Sequence, residues 1–128
     1  MLNGKIYAIA GQHAHDNRLV TQTEVHAYDP EVDLWQQVAD LPLALSQIAD
    51  SSFALDGRLI VVGGEVEHHE AVANIFSYSP KEDVWRELKP LPIARMSTVA
   101  DAVTGTIISA GGSGGNRGAD TFVGTFAQ

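Results

Sequence analysis

The apolar residues of this chain fall into short runs, and three of the runs end in small residues. These three runs span 6–11, 59–64 and 107–112. Gly, Pro and Asp separate the apolar runs along the chain, and no segment has a convincing 3.6-residue apolar period. The pattern therefore predicts an all-β protein with almost no helix.

One of the runs is apolar without alternation. Leu59, Ile60, Val61 and Val62 follow one another directly. A strand with one solvated face alternates between apolar and polar residues, whereas a strand that is covered on both faces does not. We therefore expect this strand to lie between two neighbouring layers.

A group of residues recurs at a constant spacing. At an offset of fifty residues, Tyr28, Pro30, Trp35, Leu41 and Pro42 return as Tyr78, Pro80, Trp85, Leu91 and Pro92. At an offset of forty-eight residues, Gly57, Gly63 and Tyr78 return as Gly105, Gly111 and Phe126. A fixed period of this length is typical of a repeat architecture.

The order of these motifs resembles the kelch repeat, in which an apolar strand closes on a Gly pair and is followed by Tyr, Trp and Leu-Pro. The resemblance covers all but the first few residues. The chain departs from the pattern at Ala10, which replaces a Gly, at Phe126, which replaces Tyr, and in the third repeat, which has no Trp. The resemblance implies an all-β fold of kelch-type β-propeller blades, each a four-stranded antiparallel sheet. Because the chain holds about two and a half repeats, we expect an incomplete ring.

The resemblance also implies an order of strands, named a to d from the centre of the propeller outward. A partial blade is expected at 1–45, with b near 5–10, c near 22–28 and d near 34–38. A complete blade is expected at 46–95, with a near 47–55, b near 58–63, c near 73–79 and d near 84–88. A second partial blade is expected at 96–128, with a near 97–103, b near 106–111 and c near 121–127. Trp35 and Trp85 begin the d strands, where we expect them to pack between blades.

An incomplete ring leaves blade faces and strand edges open. Either further blades of a larger propeller or several copies of the chain would cover them. We favour a larger parent propeller, with self-association of this segment as the physical consequence.

Composition narrows the classes of partner. The net charge is −8, from sixteen acidic and eight basic residues, so no basic stripe is available for nucleic acid. No apolar stretch is long enough for a membrane span, and the first residues read as a strand and not as a secretion signal. We expect a soluble chain; the compartment stays open, with the cytoplasm favoured. The absence of Cys excludes disulfides, thiolate metal sites and Cys nucleophiles.

In kelch propellers the d-to-a and b-to-c connections emerge on one face, where variable loops on a rigid scaffold can bind ligands. Here these connections are 39–46, 89–96, 12–21, 65–72 and 113–120. The first two b-to-c loops hold four of the five His residues and several charged residues; the candidates for partner or ligand binding are His13, His15, Arg18, Glu65, Glu67, His68 and His69. Imidazoles with carboxylates suit zinc, but this spacing matches no metal signature, so we predict no metal and no cofactor.

Two arginines are further candidates. The resemblance implies that Arg95, in the pattern Leu-Pro-x-x-Arg, points towards the top of the central channel, where its guanidinium could bind a carboxylate. The alternative is that Arg95 pairs with a local acid or caps backbone carbonyls, and the residues leave both open. Asn116 and Arg117 lie in the glycine-rich loop 112–118, which lacks the following helix of a phosphate cradle.

Asp50 and Asp101 recur at equivalent positions of the expected inner strands, in Ser46–Asp50 and Ser97–Asp101. We expect them to line the channel or to accept N–H groups of the adjoining blade. A structural use is favoured over a catalytic one.

The chain shows no nucleophile elbow, supported Ser-His-Asp order or paired catalytic carboxylates, so we assign no catalytic residue and do not favour an enzyme. The first hypothesis is a scaffold that binds a protein partner through its b-to-c and d-to-a loops. The alternative is a propeller that binds or processes sugars, similar to sialic acid mutarotases, with Arg95, Glu65, Glu67 and the His loops at the channel mouth. The copper site of the related galactose oxidases cannot be carried over, because it needs Cys.

Overall fold

Strands dominate the computed structural model, which describes residues 1–114 and 118–126. Three strands come first: β1 (Ile6–His13), β2 (Val20–Asp29) and β3 (Leu34–Val38). Six follow: β4 (Ser52–Leu55), β5 (Arg58–Val62), β6 (Glu65–Glu67), β7 (Glu70–Ala71), β8 (Ile75–Ser79) and β9 (Val84–Leu88). The last three are β10 (Val99–Val103), β11 (Thr106–Ala110) and β12 (Thr121–Thr125).

Apart from one 3₁₀ turn at Ala49–Ser51, the described residues contain no helix, so the all-β prediction is confirmed. None of the described residues forms a helix long and apolar enough to cross a membrane.

The strands form three main antiparallel sheets in sequence order. The first sheet is β1-β2-β3, the second is β4-β5-β8-β9 and the third is β10-β11-β12. The short strands β6 and β7 form a separate hairpin. The second sheet therefore has four strands, and its two neighbours have three each among the described residues.

Two apolar clusters hold the sheets together, and β5 contributes to both. Leu59 and Val61 lie in the cluster that includes residues of the first sheet, whereas Ile60 and Val62 lie in the cluster that includes residues of the third. Each of these side chains is buried, and burial of one Val, Ile or Leu contributes about 1.5–3 kcal/mol. The run without alternation is thus covered on both faces, as predicted.

Backbone hydrogen bonds join the end of one sheet's strand to the segment that leads into the next sheet. The N–H of Gly11 donates to the carbonyl of Leu45 at 2.9 Å, and the N–H of Gly64 donates to the carbonyl of Arg95 at 2.8 Å. Gly63 has a φ of +65°, and a Cβ there would collide with the carbonyl oxygen of Arg95. A side chain at this position would therefore push the second and third sheets apart.

The first hairpin is longer than predicted. β1 continues to His13 and β2 begins at Val20, so part of the expected loop 12–21 is paired strand. Ala10 has a φ of 50°, and the register shifts between Ile9 and Gly11. This bulge lets the ladder continue beyond the small residues that we took for the end of the strand.

The predicted inner strands begin too early. The strand expected at 47–55 begins at Ser52, because residues 49–51 form the 3₁₀ turn and Gln47 is left-handed with a φ of 56°. The hydroxyl of Ser52 donates to the carbonyl of Ile48 at 2.9 Å and closes this turn. In the third sheet, where Ser97 has a φ of 52°, the inner strand begins at Val99 and not at residue 97.

Candidate functional site

The first two b-to-c loops lie against each other. The hydroxyl of Thr21 donates to the carbonyl of Val66 at 3.0 Å, which ties β2 to β6. The rings of His15 and His68 meet edge to face, with 5.0 Å between their centroids. His68 Nε2 also lies 3.3 Å from the carbonyl oxygen of His15. We call the exposed residues 13–18 and 67–70 together the paired-hairpin surface.

Most of the predicted loop residues belong to this surface. Exposed side chains are those of His13, His15, Arg18, Glu67, His68 and His69. The surface also carries Asp16 and Glu70. Its carboxylates outnumber its single guanidinium, so with neutral imidazoles it has a negative charge.

Glu65 differs from the other candidates because it is buried. Its carboxylate accepts the N–H of His69 at 2.7 Å and the hydroxyl of Ser46 at 3.3 Å. The backbones of Glu65 and Ser46 exchange two further hydrogen bonds of 2.9 Å. Glu65 thus fastens the second hairpin to the start of its own blade and is not available at the surface.

Three of the four loop His residues are neighbours, since the rings of His15 and His68 are in contact and His69 lies beside His68. His15 Nδ1 lies 3.7 Å from Asp16, and His68 and His69 have ring centroids 6.0 Å apart. Across 1–114 and 118–126, no group of three or more His, Cys, Asp or Glu is placed to hold a metal ion.

Arg95 has a side chain that is only 1% exposed. Its Nη2 donates to the carboxylate of Asp120 at 2.7 Å, and its Nη1 donates to the carbonyls of Ala94 at 3.0 Å and Gly114 at 3.3 Å. The guanidinium also lies over the ring of Phe122, 5.8 Å from its centroid. An external carboxylate would have to replace Asp120 to use the same fork of donors.

The other arginine candidate and its neighbour cannot be placed, since Asn116 and Arg117 lie outside the described residues.

Asp50 and Asp101 lie in different local structures. Asp50 is exposed in the 3₁₀ turn, so the strand predicted around it is wrong. Asp101 is exposed on β10, and its carboxylate accepts the N–H of Ala102 at 2.7 Å on its own strand. This contact is local and does not involve the adjoining blade.

Sequence reasoning missed a clamp between the first two sheets. The indole N–H of Trp85 donates to the carbonyl of Ala39 at 2.8 Å, while the carboxylate of Asp83 accepts the N–H of Ala39 at 2.8 Å. The same carboxylate accepts the hydroxyl of Tyr78 at 2.8 Å, and the ring centroids of Tyr78 and Trp85 are 5.0 Å apart. We call Tyr78, Asp83 and Trp85 the aromatic clamp. The Asp two residues before each Trp was the signal that could have revealed it.

Burial and the contact with Asp83 both affect the hydroxyl of Tyr78. Desolvation is the larger cause and the hydrogen bond to Asp83 the second, and together they raise the pKa of Tyr78 from its usual 10.0. The clamp therefore favours the protonated phenol.

The first repeat contains the equivalent residues Tyr28, Asp33 and Trp35, but its Trp is exposed. The hydroxyl of Tyr28 donates to Asp33 at 2.7 Å, and the ring centroids of Tyr28 and Trp35 are 5.0 Å apart. Trp35, however, is 53% exposed, whereas Trp85 is 8% exposed. The expected packing between blades thus holds for Trp85, while Trp35 has no blade against it among the described residues.

Comparison with known proteins identifies the family. The Kelch motif model matches residues 1–42 and 51–92, which is more than half of the chain. This chain belongs to the Kelch-repeat family. The predicted kelch-type propeller fold is confirmed, and its ring is not closed.

Two similar proteins are matched over only part of their own length. Kelch-like protein 35 of Mus musculus is 28% identical over 76 residues, which are 59% of this chain and 11% of that protein. A solved structure titled "Structure of YjhT" has a TM-score of 0.75 at 13% identity and matches 88% of this chain and 42% of its own. The chain therefore spans less than half of either protein, and the second likeness shows the fold alone.

Proposed function

We propose that this chain is a protein-binding Kelch module whose paired-hairpin surface contacts the partner. The observation that carries the proposal is the contact between His15 and His68, which joins loops of two successive sheets into one surface. Kelch-repeat proteins generally bind protein partners, and connecting loops on a rigid scaffold are the usual place for recognition.

The composition of the surface indicates the kind of partner. Three carboxylates, those of Asp16, Glu67 and Glu70, are exposed near one cation, Arg18. The neutral imidazoles add donors and acceptors without adding charge. A partner segment with Lys or Arg and hydrogen-bonding side chains fits this chemistry, and its association should weaken as salt is raised.

The second hypothesis, a sugar site at the channel mouth, has weaker support from the contacts. Two residues it relies on, Arg95 and Glu65, are buried and already bonded within the chain. A carboxylated sugar would need the guanidinium that Asp120 holds. A thermal-shift screen of acidic sugars tests this hypothesis. A sugar that raises the melting temperature of the wild type, but not that of an Arg95 variant, would support it.

The test of the first hypothesis uses a photo-crosslinking residue in place of His15. We expect it to capture a protein that is not captured from the position of Glu31, which is exposed in the turn at the opposite ends of the strands. The captured protein is then purified and titrated against three chains: the wild type, the double variant His15→Ala with His68→Ala, and the control double variant Glu31→Ala with Lys81→Ala.

Loss of affinity in the His variant alone supports the proposal, provided that all three chains melt at similar temperatures. Equal affinity in all three chains would place the contact elsewhere and overturn it.

A further inference from the structure

The same tight turn of two residues precedes β1, β5 and β11. Its residues are Asn3-Gly4, Asp56-Gly57 and Thr104-Gly105. The first residue of each turn has a φ between 47° and 52°, and the Gly has a φ between 75° and 77°. Positive φ at both central residues is typical of a type I′ turn, so the three turns share one conformation.

The first of these turns brings an exposed Asn and an exposed Gly together. Two backbone hydrogen bonds close it, from the N–H of Leu2 to Lys5 at 2.9 Å and from the N–H of Lys5 to Leu2 at 3.0 Å. The N–H of Gly4 takes part in neither bond. Gly4 has no Cβ, and nothing lies within 4 Å of the place where one would be. Its backbone nitrogen is therefore open to the side-chain amide of Asn3.

We propose that Asn3 is a site of spontaneous deamidation, a covalent modification that needs only water. The nitrogen of Gly4 attacks the side-chain carbonyl carbon of Asn3 and forms a new C–N bond. The old bond to Nδ2 breaks, and the amide group leaves as ammonia with the proton of the Gly4 N–H. Water then opens the resulting five-membered imide at either carbonyl, which gives an ordinary aspartate or its isomer with the chain running through the side-chain carbon. This modification does not depend on the paired-hairpin surface.

The reaction requires the turn to open. The imide ring fixes the ψ of residue 3 at a value that a type I′ turn does not have. Opening breaks the two bonds between Leu2 and Lys5 in an exposed turn, and local opening of this kind costs far less than unfolding of the core strands. The folded chain therefore reaches the reactive conformation without unfolding as a whole.

Two other Asn residues are less suited to the reaction. Asn17 precedes Arg18, and Asn74 precedes the β-branched Ile75, so in both cases the attacking nitrogen belongs to a residue with a side chain. The amide of Asn74 is also held, because its Nδ2 donates to Glu87 at 2.7 Å. They serve as internal controls for Asn3.

The two products differ in their effect on the fold. The ordinary aspartate gives Asp-Gly-Lys, similar to Asp56, Gly57 and Arg58 in the second turn, so it keeps the turn and adds one negative charge. The isomer has one more carbon in its backbone, and a two-residue turn then no longer brings Leu2 opposite Lys5. Because Leu2 is buried in the cluster between the first two sheets, we expect the isomer to lose this packing.

The first experiment follows the full 128-residue chain during incubation at mildly alkaline pH. Mass spectrometry of proteolytic fragments detects the loss of ammonia and then the gain of water at each Asn. We expect Asn3 to react at least tenfold faster than Asn17 and Asn74, which corresponds to about 1.4 kcal/mol in activation free energy. Equal rates at the three residues, or no reaction at Asn3, would overturn the proposal.

The second experiment tests the turn itself. Asp56→Asn places an Asn before Gly57 in the same turn conformation. We expect the introduced Asn to react faster than Asn17 and Asn74 in the same folded chain. If it does not, while Asn3 does, the reaction depends on the position of Asn3 in the chain, and the assignment to the turn is wrong.

The third experiment compares the two products after their separation by chromatography. The variant Asn3→Asp is the reference for the ordinary product, and we expect it to unfold at the same urea concentration as the wild type. The isomer should unfold at a lower urea concentration. An isomer as stable as the wild type would show that the turn does not hold Leu2 in place, which would overturn the predicted effect on the fold.

Discussion

Trp85 and Ala39 join the first two sheets through a 2.8 Å hydrogen bond from the indole N–H to the backbone carbonyl. The bond is one of two that hold Ala39, since Asp83 accepts its N–H. Side chains of one repeat thus bind the backbone of the preceding one. Trp35 belongs to the same motif but is exposed, so it serves as an internal control for the contribution of Trp85 to stability.

We first predict that Trp85→Ala lowers the free energy of unfolding by about 3–5 kcal/mol, because it leaves a cavity beside Tyr78 and removes the bond to Ala39. Trp85→Phe keeps most of the packing but removes the hydrogen bond to Ala39. The loss of this bond should by itself lower the free energy of unfolding by about 1 kcal/mol. Urea unfolding followed by circular dichroism measures both.

The matched control is Trp35→Ala, which should cost clearly less than Trp85→Ala because Trp35 is 53% exposed and loses only its contact with Tyr28. Equal costs at positions 35 and 85 would contradict the clamp as a source of stability.

The second prediction concerns the exposed apolar residues of the edge strand β3 and of the turn before it. Val32, Leu34 and Trp35 are exposed by 67%, 59% and 53%, so their apolar area can be covered by another molecule of the chain. We expect the mass measured by light scattering to rise with concentration. Trp35→Lys should suppress this rise by placing a charge in the contact.

Gln36→Ala, an exposed change on the same strand, serves as the control and should self-associate like the wild type. A wild-type chain that stays monomeric across the concentration series would refute self-association.

A third prediction follows from the ion pair of Arg95. Asp120→Asn weakens the partner of a buried guanidinium and should therefore lower the free energy of unfolding by about 1–3 kcal/mol. We expect the lower end of this range because the Asp120 side chain is 54% exposed. The control is Asp101→Asn, an exposed carboxylate whose only hydrogen bond from the described residues is local. Thermal unfolding of the two variants side by side measures the difference, and equal melting temperatures would count against a structural role for the pair.

The sequence predicted best those features of the fold that are encoded by a repeat or by a short run of neighbouring residues. The repeat predicted the three sheets, and the apolar run at 59–62 predicted a strand covered on both faces. The sequence pattern did not predict the extension of β1, because Ala10 and Gly11 indicated the end of a strand and not a bulge within it.

The partners of the site residues were harder to predict. Asp120 lies twenty-five residues from Arg95 and has no counterpart in the other repeats, so no pattern pointed to their contact. Glu65 was predicted as a surface acid because it lies in a loop rich in Glu and His, but its carboxylate turns back to Ser46 and His69. Such contacts depend on how the loops fold, which periodicity does not encode.

The fourth prediction concerns alkaline pH. Because burial and Asp83 raise the pKa of Tyr78 above 10.0, the unfolded chain loses this proton at a lower pH than the folded chain. The stabilisation is therefore fully present below pH 10, and the free energy of unfolding falls as the pH rises above that value. Urea titrations at several pH values should show a shallower alkaline decline in Tyr78→Phe than in the wild type. Identical slopes would show that this hydroxyl does not control the decline.

The last prediction separates two effects of a side chain at the glycine positions. Gly57 and Gly63 both have positive φ, +75° and +65°, but a Cβ at Gly57 meets nothing within 4 Å, whereas one at Gly63 meets the carbonyl of Arg95. Gly57→Ala should therefore cost about 1–2 kcal/mol of backbone strain. Gly63→Ala should cost clearly more in urea unfolding, because the collision also forces the second sheet away from the start of the third. If the two variants unfold alike, the close approach between these sheets is not what requires glycine, and the backbone angle alone explains its use.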